Sequence, residues 1–168
     1  MTIYQFQEDM AEEIEHLMTG MVFKDPQGKP AHMTSYLQSL PKREQTVQPG
    51  SLMADDEGED DDDPYPFCIV RLEQGGIYAG AQRVKVILVF GIFDDDRSNL
   101  GHQTLLNVMH RVAERFIGNP ILKDMYQMDI NAGIDWILND EECYPYFIGG
   151  LEMVWDAYFI NREEDRYV

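Results

Sequence analysis

From Phe6 onward, apolar residues recur at spacings of three and four through Met10, Ile14, Leu17, Met18 and Met21, while Glu8, Asp9, Glu12, Glu13 and Glu15 take the positions between. This period predicts an amphipathic helix over about Ile3 to Val22, with one apolar stripe and an acidic side facing water. The stripe suits the chain's own sheet. Its methionines also suit a partner's surface, because thioethers adapt to irregular shapes. From Lys24 to Pro66 the pattern dissolves. Prolines at 26, 30, 41, 49, 64 and 66, with Gly28, Gly50 and Gly58, interrupt regular structure, although Met33, Leu37 and Leu40 could line one short helix. A connection of this length predicts an inserted flexible arm, 24–66, that orders on binding.

Regular patterning resumes at Phe67. Phe67 to Leu72 predicts a short strand ended by Glu73-Gln74-Gly75-Gly76. Arg83 to Phe93 alternates at first and then becomes continuously apolar, the pattern of a central strand covered on both faces at its far end. Asp94-Asp95-Asp96-Arg97-Ser98-Asn99 then leads into a second helix. The carboxylates complement the helix dipole, Ser98 or Asn99 offers a cap, and Gly118-Asn119-Pro120 a stop. Leu105, Val108, Met109, Val112 and Phe116 form its buried stripe. Met128 to Leu138 and Phe147 to Phe159 supply two more strands. In the last, Leu151, Met153, Trp155, Ala157 and Phe159 share one face, and Glu152 and Asp156 the other. The expected fold is a single α+β domain, 1–168. Its core, 67–160, is a sheet of about four strands, largely antiparallel or mixed, packed against the N-terminal and central helices.

Charge changes this picture most. Thirty-one acids against thirteen bases give the 168-residue chain a formal net charge of −18, which opposes general affinity for nucleic-acid phosphates or anionic membranes. Eight of those acids lie in the run Asp55 to Asp63; without them the balance is still −10. The run lacks the ligand spacing of an EF-hand loop and reads as a hydrated acidic segment. No apolar run approaches the ~18 residues of a membrane-spanning helix. The opening Met1-Thr2-Ile3-Tyr4-Gln5 lacks the basic and apolar regions of an export signal.

Candidate chemistry is sparse. Cys68 and Cys143 read as two small buried hydrophobes rather than a disulfide or metal pair. Neither Gly75-Gly76 nor Gly149-Gly150 sits in a phosphate-cradling spacing, and no GxSxG or HExxH motif occurs. His16, His32, His102 and His110 are dispersed. No cofactor, metal site or catalytic residue is expected, and the chain reads as a non-enzyme.

Four blocks, in order, carry a resemblance: Tyr65-Pro66-Phe67-Cys68-Ile69-Val70-Arg71, then Val84-Lys85-Val86 through Phe93-Asp94-Asp95-Asp96, then the helix start near Asn99-Leu100-Gly101, and last Tyr144-Pro145-Tyr146-Phe147-Ile148-Gly149-Gly150-Leu151-Glu152 with Trp155. From Pro64 to about Asn161 the chain resembles the tail terminator, or tail-completion, proteins of long-tailed bacteriophages. The resemblance implies a small α+β protomer of the virion neck, assembled in the host cytoplasm. It would form a homo-oligomeric ring, typically a hexamer, between the tail tube protein and a head-side connector protein. Such a ring ends tail growth and leaves an acidic channel through which DNA passes without binding. Segment 24–63 departs from the family pattern.

Strand-entrance aromatics suit subunit or partner contacts, which nominates Tyr65, Phe67, Tyr144, Tyr146 and Phe147, with Arg71 as a charge partner; each also suits packing within the chain. Asp94, Asp95, Asp96, Glu141 and Glu142 are the channel candidates. Two other classes fit the acidity: a soluble DNA-mimic inhibitor of a DNA-binding enzyme, and a metal hydrolase in which Asp94–Asp96 and Asp140–Glu142 converge.

Overall fold

The computed structural model describes residues 2–42 and 63–158. The acidic run up to Asp62, and Phe159, lie outside the described residues. The element order is α1 (Ile3–Met18), β1 (Phe23–Lys24), β2 (Pro30–Ala31), β3 (Thr34–Leu37), β4 (Phe67–Tyr78), β5 (Ala81–Phe93), α2 (Gly101–Gly118), β6 (Ile121–Leu122), β7 (Tyr126–Met128), β8 (Asp135–Leu138) and β9 (Tyr146–Tyr158). Two helices and one large, mainly antiparallel sheet make the fold α+β. The described residues hold nine strands rather than about four.

Three long strands form the frame. β5 is central, paired antiparallel with β4 on one side from Phe67↔Gly91 to Tyr78↔Ala81, and with β9 on the other from Phe93↔Tyr146 to Ala81↔Tyr158. Alternation along β5 decides which side becomes the core: Val84, Val86, Leu88, Phe90 and Ile92 are buried under the helices, as are Leu151, Met153, Trp155 and Ala157 of β9. Phe6, Met10, Ile14 and Met18 of α1 join the same core, so this part of the methionine-rich stripe packs on the chain's own sheet. On the opposite face Ile69, Ile87, Val89, Ile148 and Val154 are half-buried. Lys85 bridges Glu73 and Glu152 there, at 2.9 Å from each.

Several elements differ from the sequence expectation. Residues 23–37, all but Phe23 expected within the arm, hold three short strands, and Leu37 is extended rather than helical: β3 runs parallel to β4, Thr34↔Phe67 to Leu37↔Val70. β4 does not stop at Glu73-Gln74-Gly75-Gly76. A bulge between Leu72 and Gln74 absorbs the irregularity, and the hairpin continues to a turn in which Gly80 has φ +80°. The strand expected over Met128–Leu138 is two short ones, β7 and β8, divided by a turn with Gly133 at φ +73°. Both pair with β9.

Helix α1 ends at Met18, earlier than the expected Val22, and its start is capped by Thr2, whose hydroxyl accepts the Gln5 N–H. Its acidic side is not wholly solvated, because Asp9 is buried and takes a hydrogen bond from the Tyr126 hydroxyl at 3.2 Å. Helix α2 has no side-chain cap; Leu100 occupies the cap position and Asn99 has φ +56°. The aspartates before it fold on themselves instead, Asp94 Oδ1 accepting the Asp96 N–H and Asp96 Oδ1 accepting the Ser98 N–H, each at 3.0 Å.

Candidate functional site

At one end of the sheet, where β5 finishes and β9 begins, two of the sequence blocks come together. The Tyr65 ring lies 4.9 Å from Phe67 and 4.6 Å from Tyr146, and Phe93 extends the cluster at 5.6 Å from Tyr146. These separations are those of favourable tilted aromatic pairs. Gly91 makes the cluster possible: a Cβ there would lie 2.4 Å from the Phe67 ring and 2.9 Å from Tyr65. Of the aromatics nominated for subunit contact, Tyr65, Phe67 and Tyr146 thus pack on one another. Burial, then the neighbouring Asp63 and Cys143, raise the Tyr65 pKa.

The rest of the fourth block is used in the same way. Tyr144 donates its hydroxyl hydrogen to the Asp95 carbonyl at 2.7 Å, and Tyr146 to Asp63 Oδ2 at 3.0 Å. The Asp94 N–H donates to the Pro145 carbonyl at 2.9 Å. Phe147 turns to the helix face and fits over Gly101, where a Cβ would stand 2.3 Å from its ring. This contact explains why α2 begins with glycine. Arg71 stands apart from all of these, exposed on the open sheet face in the row Arg71–Ile87–Glu152–Asp135, and it makes no ion pair among the described residues.

Carboxylates surround the aromatic end. Asp95 and Asp96 are exposed, and Asp95 meets Lys24 only at 4.0 Å, an exposed pair of little energetic weight. The Ser98 backbone and side chain both bond to Asp96 and hold its carboxyl below the usual carboxylate range. Asp140, Glu141 and Glu142 are exposed on the β8–β9 connection and line a shallow pocket of about 210 Å³ with Asn99, His102 and Cys143. All five channel candidates therefore gather at one end of the molecule, next to the start of α2. Among the described residues no group of three or more histidine, cysteine or acidic side chains could hold a metal ion.

Cysteine placement divides the expected pair. Cys68 is buried, and burial pushes its thiol pKa well up, whereas Cys143 is exposed beside the pocket. Other features were invisible in the sequence pattern. One is the hydrogen-bonded Gln7–Gln38 pair. Gln7 donates to the Val70 carbonyl at 2.7 Å and to Gln38 Oε1 at 3.1 Å, while the Gln38 amide pairs with both the N–H and the carbonyl of Leu72. Another is an apolar groove between α2 and β8. No protein-family model matches the chain, and no curated protein matches it. Among the described residues no helix is long and apolar enough to cross a membrane.

Proposed function

We propose that the chain is a structural assembly protein of a phage neck, which caps the tail tube as a ring, ends tail growth and joins the tail to the head-side connector. The observation that carries this reading is the meeting of the Tyr65-Pro66-Phe67 and Tyr144-Pro145-Tyr146-Phe147 blocks at one sheet end, within a rim of Asp94, Asp95, Asp96, Glu141 and Glu142. The aromatic cluster stiffens that end, and the rim gives it a dense negative field. In a ring with the rim turned inward, DNA phosphates are repelled from the wall and the duplex slides without sticking.

Purified protein added to tail tubes tests this directly. Capping should appear as end-bound density by electron microscopy, and tails assembled without the protein should be overlong and unable to join heads. Tubes that never bind the protein, together with normal tails in its absence, would overturn the proposal. Replacing the five rim carboxylates by Asn or Gln should leave capping intact and slow DNA passage. The same acidic end could instead mimic DNA. Competition with duplex DNA for a nuclease, without any tube binding, would favour that second reading.

A further inference from the structure

Among the described residues, two exposed apolar surfaces of this strongly acidic molecule have no Asp, Glu, Lys or Arg of their own, and they lie apart on the sheet. The first is the β4–β5 hairpin. From Gln74 to Gln82 there is no Asp, Glu, Lys or Arg, Ile77 is 73% exposed and Tyr78 64% exposed. The Tyr78 ring folds back over Gly76, where a Cβ would lie 2.9 Å from its hydroxyl, so the aromatic face is held against the hairpin rather than trailing in solvent. β3 covers the outer edge of β4 only as far as Val70, and the Gln38 side chain closes the position at Leu72. Beyond it, that edge has no partner strand among the described residues.

The second surface is the groove between α2 and β8. It encloses about 340 Å³ and is lined by residues including Leu106, Met109, Ala113, Ile117 and Trp136, with no Asp, Glu, Lys or Arg in its lining. Trp136 is 64% exposed and Ile117 61%. His110 joins the lining and is held by Glu114 at 3.0 Å.

Copies of a chain with net charge −18 repel one another wherever acidic surfaces meet. Contact between copies is favoured where both faces are uncharged and apolar, and a convex tip with two large exposed side chains suits a concave groove lined by apolar ones. The tip lies at the Ala81↔Tyr158 end of the β5–β9 pair, whereas the groove meets β9 at Leu151, opposite Leu88, so tip and groove are separate patches of one copy. A tip of one copy in the groove of the next is therefore heterologous, leaving a free tip and a free groove at the two ends, and such contacts propagate until a ring closes. We propose that Ile77 and Tyr78 of one copy dock into the α2–β8 groove of a second copy of this chain. This inference deepens the ring reading above and rests on it only for closure; the contact itself follows from the two surfaces.

The test uses the full chain in analytical ultracentrifugation, with a tip variant, Ile77→Asp, and a groove variant, Ile117→Glu. Both residues are more than half exposed, so each variant should keep the wild-type circular dichroism and melting temperature. Wild type should form species larger than the 19.5 kDa protomer. Each variant alone should associate at least about tenfold more weakly, a loss of ~1.4 kcal/mol. An equimolar mixture of the two should restore a dimer and nothing larger, because only one intact tip and one intact groove remain. Variants that assemble like wild type overturn the docking mode, as does a mixture that yields no dimer or a wild type that stays monomeric to about 1 mM. Failure of the ring reading looks different: the tip and groove variants would behave as expected while wild-type protein left tail tubes uncapped.

Discussion

Gly91 shows how much one missing methyl group can arrange. Its neighbours Phe67 and Tyr65 occupy the space where a Cβ would stand, 2.4 and 2.9 Å away, well inside the ~3.5 Å of ordinary carbon contacts. Alanine is the better strand residue by intrinsic preference, but Phe67 is only 3% exposed and has little room to retreat. Overpacking should win, and Gly91→Ala should lower stability by about 1–3 kcal/mol in urea unfolding. A second change, Phe67→Leu, should recover part of that loss; equal losses in the single and double variants would contradict the contact. Tyr-Pro-Phe and Tyr-Pro-Tyr-Phe were legible in the sequence as strand entrances. Their meeting across the sheet was not, because nothing local to either block specifies the other.

Helix α1 is joined to the sheet by more than its apolar stripe. Asp9 is buried between helix and sheet, bonded to the hydroxyl of Tyr126 in β7 and, at 3.3 Å, to the Gln5 side chain. Burial, and then the Asp9 charge, push the Tyr126 pKa up to about 12. The sign follows: a phenol whose folded pKa is raised above its unfolded value of ~10 contributes stability that is complete below pH 10 and fades as pH climbs toward 12. Tyr126→Phe should cost about 1–3 kcal/mol at neutral pH by removing the hydroxyl that satisfies the buried carboxylate. It should also flatten the stability loss between pH 10 and 12, read by chemical denaturation across that range. An unchanged alkaline slope would show that another group titrates there. At this scale the stripes of α1 and α2 and the parity of β9 followed from period alone, whereas the burial of Asp9 depended on a tyrosine far along the chain.

For the molecule as a whole, the balance of charge and uncharged surface bears on the proposed contact between copies. At net −18, repulsion between protomers is screened as the Debye length falls from roughly 10 Å at 0.1 M salt to 3 Å at 1 M. A tip-in-groove contact without ion pairs should therefore tighten as sodium chloride is raised. An interface built on Arg71 and the carboxylates would loosen instead. Sedimentation of wild-type protein from ~0.05 to 0.5 M salt separates the two outcomes. Six copies closing in a ring would weigh about 117 kDa, from a protomer of 19.5 kDa. The five rim carboxylates belong to this scale too, since each is a surface charge alone and they form a field only when the sheet end gathers them.

What the sequence determined by itself was whatever depends on near neighbours: two amphipathic helices, the alternation of β5 and β9, the acidity, and the want of a catalytic motif. Helical and strand periods act over a few residues, so they can be read along the chain. The tertiary structure decided the rest. It set β3 parallel beside β4, carried the hairpin past its bulge, split Met128–Leu138 into β7 and β8, exposed Cys143, and placed an uncharged apolar groove apart from an uncharged hairpin tip. Those outcomes turn on pairings between distant segments, where strand edges must find backbone partners and apolar faces must find cover, and no local spacing encodes which partner is found.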